Sequence, residues 1–351
     1  MALGEGSSLR AMPESSPPVA FLTGGTGFVG SWMAQELAAR GYAVRALVRS
    51  DPKWLADATA ASGQAAEIVR GDLHDADALR LGVDGAEAVV HVAGLTRARD
   101  QATLDRANVD GTVALLEAVR EAGHSPRVLV TSSLEAMGPN RLDASGRRVP
   151  ATEADAPRPV SMYGTSKARM EAAVRDRFGE LGATIVRPPA VYGPREADIF
   201  EMVKGAARGL FPIVGDGTTP RLSLVHVRDL VRGMADLLGA PEAVGEAYFI
   251  GSERGYSWEE VRAAVEAALG RKTLKLPVPP ALMGVAGAVS EGIGRLGGTL
   301  PPLTKDKAEA ARHAWICSVD KAARDVGYRQ EVSLRDGMAE TVAWYREAGW
   351  L

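Results

Sequence analysis

Short apolar runs alternate with one-sided helical stretches through the first half of the chain, and no other feature limits the possible fold so tightly. The runs read PVAFLT from Pro18, YAVRALV from Tyr42, EIVRG from Glu67, AEAVVHVAG from Ala86, RVLVTSS from Arg127 and ATIVRPP from Ala183. Between them, SWMAQELAARG and VDGTVALLEAVREAG repeat apolar residues at spacings of three and four, the period of a helix that buries one face. Strands joined through helices form a parallel sheet covered on both sides. The expected fold class is therefore α/β, a doubly wound parallel sheet. Such sheets take ligands beyond the carboxyl ends of their strands, where the strand order reverses.

The first strand runs into TGGTGFVG, residues Thr23, Gly24, Gly25, Thr26, Gly27, Phe28, Val29 and Gly30. A glycine turn after a strand and before a helix lets a pyrophosphate approach the backbone. The helix behind it offers free amides and a positive dipole end. A lone glycine pattern is weak, but this context points to dinucleotide binding in a Rossmann fold. The second strand ends in Val48 followed by Arg49, with Lys53 close behind. An acidic residue at that place would grip a ribose 2′-hydroxyl. A guanidinium instead pairs with a 2′-phosphate through two hydrogen bonds. NADP is favoured over NAD, although Asp51 nearby leaves NAD open.

Composition removes several other classes. The formal net charge of -3 argues against nucleic acid or an anionic membrane as the main partner. A single cysteine, Cys317, excludes an intramolecular disulfide and suits a reducing cytoplasm. The five histidines (His74, His91, His124, His226 and His313) have no metal-ligand spacing, so no metal is expected. Residues 1–18 are small, polar and proline-rich, as in a disordered tail. No run approaches the roughly 20 apolar residues of a membrane span.

SMYGTSKARMEAAV places Tyr163 four residues before Lys167, one helical turn apart on one face. Tyr-x-x-x-Lys alone is common in exposed helices. Its setting decides: TGGTGFVG, GDLHD from Gly71, HVAG from His91, NVDGT from Asn108, TSS from Thr131, RPPAVYGP from Arg187 and HVRD from His226 occur in this order. In these motifs the chain resembles the extended short-chain dehydrogenase/reductase superfamily, from Val19 onward. It is most similar to the 3β-hydroxysteroid dehydrogenase-like and dihydroflavonol reductase-like branch.

The resemblance implies roles. Tyr163 is the acid/base and Lys167 its partner, which also bonds the nicotinamide ribose. A tyrosine of pKa about 10 suits neutral proton transfer poorly, so the ammonium and the positive nicotinamide are expected to pull it down. Ser133 takes the catalytic hydroxyl position, with Ser132 the alternative; the competing reading has either serine cap its turn and nothing more. Asp72 and Leu73 border the adenine. Val92, Ala93 and Gly94 line the cofactor, as do Thr131, Pro188 and Val191. Asn108 is a structural residue beside the site. Thr96, Glu135, Tyr192, Arg195 and Arg221 are the substrate-side candidates.

The implied reaction is hydride transfer between nicotinamide and a secondary alcohol or ketone of a small, hydrophobic substrate. A nucleotide-sugar epimerase holding NAD tightly is the alternative, followed by a non-catalytic cofactor sensor. Sugar dehydratases place Asp-Glu where this chain has Leu134-Glu135, so elimination of water lacks its proton donor. Residues 19–192 with about 224–251 are expected to form the dinucleotide-binding domain. Residues 193–223 with 252–351 should form the substrate lobe, which begins one helix with a capping box, Ser257 and Glu260. The glycine-rich apolar segment 277–302 reads as a lid or a packed helix. A homodimer is inherited from the resemblance.

Overall fold

The computed structural model describes residues 16–60, 63, 65–219, 221–279, 287 and 305–351. In chain order, β1 (Val19–Thr23), α1 (Phe28–Ala39), β2 (Ala43–Val48), α2 (Leu55–Ala60), β3 (Glu67–Arg70), α3 (Ala76–Val83), β4 (Ala88–His91), α4 (Gln101–Asp105), α5 (Gly111–Glu121) and β5 (Arg127–Thr131) build the first half. A hairpin of β6 (Arg141–Leu142) and β7 (Arg148–Val149) precedes α6 (Met162–Phe178) and β8 (Thr184–Arg187). Beyond lie β9 (Ala190–Tyr192), α7 (Asp198–Ala207), β10 (Leu210–Val214), β11 (Leu224–His226), α8 (Val227–Gly239) and β12 (Ala247–Phe249). The chain ends in α9 (Trp258–Leu269), β13 (Leu274–Val278), α10 (Lys305–Ala311), α11 (Asp320–Val326) and α12 (Leu334–Glu347).

The main sheet is parallel throughout, in the order β12-β8-β5-β4-β1-β2-β3. Both faces are covered, which is why its strands read as nearly continuous apolar runs. Alternate residues of β1 go to opposite cores. Leu22 joins Met33, Leu37, Leu230 and Met234 under α1 and α8. Phe21 joins Leu79, Leu115, Met170 and Phe178 under α3, α5 and α6. The strand order reverses between β1 and β4, so the crevice at their carboxyl ends is the switch point.

A separate core gathers Phe211, Ile213, Val261, Val265, Met338, Val342 and Tyr345 from β10, α9 and α12. This is the smaller lobe. Ser257 and Glu260 form the capping box expected of α9, with both reciprocal bonds present. The strand around Val225 pairs with β9 rather than with the main sheet, while α8 packs on α1. Of the segment 277–302, only Pro277, Val278, Pro279 and Gly287 are described, so the lid or packed helix lies outside the described residues. Among the described residues, no helix is long and apolar enough to cross a membrane.

Candidate active site

The glycine turn is shaped by contact rather than by flexibility alone. Gly24 has φ +77°, and a Cβ there would lie 2.5 Å from the Ala93 nitrogen. A Cβ on Gly30 would lie 2.0 Å from the Gly24 carbonyl oxygen. The turn is therefore clamped between the Val92-Ala93 loop and the start of α1. No side chain caps α1, and no acidic residue sits in its first turn. Its amides, beginning at Phe28 and Val29, suit an external anion. Gly25 packs against Leu22, and Gly27 is exposed at the mouth. Thr23 is not directed at the crevice: its hydroxyl shares a 2.7 Å hydrogen bond with His91, whose other nitrogen meets Thr112 at 2.8 Å. Burial, reinforced by the Lys167 charge, lowers His91 to about 3 and keeps it neutral.

At the carboxyl ends of β2 and β3, a hollow of about 530 Å³ is lined by Arg49, Gly71, Asp72, His74, Asp75 and Arg80 among others. It brings the two adenosine-side candidates, Arg49 and Asp72, to one place. One Asp72 oxygen accepts the His74 amide at 2.8 Å, which fixes the turn. Leu73 packs inward against Gly111. Asp51 accepts the amide of Lys53, whose φ is +47°, so this carboxylate is turned to its own loop.

Ser161 starts α6 by accepting the Gly164 amide at 2.9 Å. Tyr163 and Lys167 follow on one face. The Ser133 hydroxyl lies beside the Tyr163 phenol, where it favours the phenolate. Ser133 accepts the Glu135 amide at 3.1 Å, so it caps its own turn while standing beside the phenol. Lys167 donates to the Thr131 carbonyl at 2.8 Å. Burial pushes this ammonium down to about 8, opposed by the Glu171 carboxylate. The expected depression of Tyr163 is not found in the protein alone. Burial and the nearby Glu135 carboxylate raise it above its ordinary value, outweighing the opposing pull of Ser133. Glu135 in turn is raised by burial, although Ser161 donates to it at 2.6 Å.

Asn108 lies in a π-helical turn, Arg106–Asp110, between α4 and α5, a distortion frequent at functional sites. Its side chain accepts the Leu95 amide at 2.8 Å and donates to the Leu95 carbonyl and to Ser166, each at 2.9 Å. It thus ties the loop after β4 to α6 by direct bonds. Ser132 points elsewhere, donating to Glu171 at 2.6 Å. Arg187 holds the same carboxylate through two bonds of 2.9 and 2.7 Å.

Residues 20–251 match the NAD dependent epimerase/dehydratase family. The chain belongs to that family. It is 33% identical to "Ceramide reductase" of Caulobacter vibrioides, over 95% of this chain and 96% of that one. It is 26% identical to a "3 beta-hydroxysteroid dehydrogenase/Delta 5-->4-isomerase" of Mycobacterium tuberculosis, over 92% of this chain and 89% of that one. Among solved structures, gox2253 superposes with a TM-score of 0.76 at 31% identity, covering 94% of this chain and 98% of that one. The fold, the family and an NAD(P)-dependent oxidoreductase-type enzyme follow from these likenesses.

The residues present fit the dinucleotide this family uses. The turn is held in place by backbone contacts at Gly24 and Gly30, and it leaves the exposed Gly27 and the uncapped first amides of α1 open to a phosphate, with no acidic residue in that first turn. The Thr131 hydroxyl is buried at the end of β5 and has no hydrogen-bond partner among the described residues. Pro188 is buried, its carbonyl accepting the Leu134 amide at 2.9 Å, and Val191 is half-buried on β9.

The substrate-side candidates do not converge. Glu135 stands beside Tyr163 and Thr96 is exposed after β4. Tyr192 is buried in the small-lobe core, edge-on to His226. Arg195, at φ +80°, bonds Ser31 on α1 at 2.9 Å and lies over Trp32 and Trp54. Arg221 donates to the Arg312 carbonyl at 2.7 Å. Sequence reasoning missed Asp306, whose carboxylate meets the first amides of α6. Nothing in the sequence near Asp306 signals that contact.

Proposed function

We propose that this chain is an NADP-dependent reductase, interconverting a ketone and a secondary alcohol on a hydrophobic, lipid-like substrate. The observation that carries the reading is the helix face that presents Tyr163 with Lys167 one turn along, the buried Lys167 ammonium tied to the Thr131 carbonyl at 2.8 Å and Ser133 standing beside the phenol. The bound dinucleotide supplies the hydride that the carbonyl carbon receives. Ser133 holds the carbonyl oxygen by donating its hydroxyl proton in a hydrogen bond. Tyr163 transfers its own proton to that oxygen, giving the alcohol, and is reprotonated from solvent. Lys167 favours the transient phenolate by its charge. Groups fixed where charge develops supply most of such catalysis.

Arg49 in the hollow beside Asp72 supports NADP, because an arginine complements a 2′-phosphate. The names of two relatives, a ceramide reductase and a 3β-hydroxysteroid dehydrogenase, support an apolar substrate. A homodimer built on α5 and α6 completes the reading, and sedimentation of the purified protein tests it. For the cofactor, titration should show tighter binding of NADPH than NADH, and Arg49→Glu should reverse the order. Stoichiometric NAD that survives dialysis would instead favour a nucleotide-sugar epimerase.

A further inference from the structure

The catalytic helix α6 has no acidic residue in its first turn. Ser161 satisfies the Gly164 amide, which leaves the amides of Met162 and of Tyr163 itself. Both are taken by one carboxylate from far along the chain. Asp306 accepts the Met162 amide at 2.6 Å and the Tyr163 amide at 3.4 Å. A negative charge at the positive end of a helix is favourable, and here it also fills otherwise orphaned donors.

Asp306 is not isolated. Its neighbour Lys307 on α10 pairs with Asp198 at 2.6 Å, at the start of α7. Arg97, from the loop after β4, approaches Asp198 from another side at 3.6 Å. The seven residues of α10 thus join the catalytic helix, the helix after β9 and the loop that Asn108 pins. So short a helix has little stability of its own, so it is placed by these contacts.

We infer that Asp306 is a positioning residue for Tyr163: by holding the first turn of α6, it makes the correct placement of the phenol depend on α10 being docked. The inference rests on Tyr163 being the proton donor. Small displacements of a reacting group reduce turnover steeply, by up to about 100-fold for 1 Å.

The test compares wild type, Asp306→Ala and Asp306→Asn with NADPH and a ceramide oxidised at its secondary alcohol, presented in mixed micelles. Hydrogen exchange at Met162 and Tyr163 is read in parallel. Asp306→Ala should lower kcat by about 10- to 100-fold, leave NADPH affinity unchanged, and speed exchange at those two amides alone. Asp306→Asn keeps an acceptor oxygen and should restore most of kcat. A wild-type kcat in Asp306→Ala overturns the inference. So does a loss shared with NADPH binding and with exchange throughout the core, because that is a folding defect. If wild type itself transfers no hydride, the reductase reading falls, and the inference with it.

Discussion

Ser132 donates a hydrogen bond to Glu171 at 2.6 Å, although its neighbour Ser133 caps the Glu135 amide at 3.1 Å and stands beside Tyr163. Adjacent residues of the strand end therefore face different partners. Ser133→Ala should lower kcat by about 10²-fold or more, in line with loss of an oxyanion donor. Ser132→Ala should leave kcat within about threefold and cost about 1.5–3 kcal/mol, the loss of a hydrogen bond to a charge. Steady-state kinetics and urea unfolding of both variants check this.

The Glu171–Arg187 pair is buried, at 1% and 2% exposure. Breaking one side strands the other charge. Glu171→Gln should therefore destabilise by about 3–5 kcal/mol. A double replacement by methionine and leucine should recover much of that loss, because it removes both desolvation costs. Urea midpoints of the single and double variants decide it.

Lys167 carries a pH signature. Its folded pKa is about 8 against an ordinary 10.5, so between these values the unfolded chain binds more protons. This residue's contribution to stability must then rise as pH climbs from 8 to 10.5. Wild type should gain on Lys167→Met by about 3 kcal/mol across that window, at about 1.36 kcal/mol per pKa unit. A pH series of unfolding curves should show the gap changing there and flat below pH 7.

Gly94 lies against two groups of the site. A Cβ there would sit 2.8 Å from Asn108 Oδ1 and 3.5 Å from Lys167 Nζ. Gly94→Ala should push the Asn108 amide off the Leu95 backbone, costing about 1–3 kcal/mol. It should weaken cofactor binding as well, which fluorescence titration measures.

The sheet was legible because burial on both faces makes each strand an apolar run, and α1 and α5 show apolar residues at helical spacing. The glycine turn was legible because Gly24 and Gly30 meet backbone that no side chain can share. The choice between Ser132 and Ser133 was not, since only the contact with Glu171 separates two neighbouring hydroxyls. Tyr192 and Arg195 look like site residues in the sequence. The structure packs Tyr192 edge-on to His226 and lays Arg195 over the Trp32 and Trp54 rings, contacts that no local pattern signals. Asp306 was invisible because its partner lies 144 residues earlier, and local pattern carries no trace of such a pairing. Burial around Tyr163 likewise reversed the direction in which its proton affinity was expected to move.

The most direct measurement follows an isotope. NADPH deuterated at nicotinamide C4 is mixed with a ceramide oxidised at its secondary alcohol, and the product is analysed by mass spectrometry. The account predicts one deuterium on the carbinol carbon with wild type, and none above background with Tyr163→Phe that still binds NADPH. Deuterium transfer undiminished in Tyr163→Phe, or none from a wild-type protein saturated with NADPH, would contradict it.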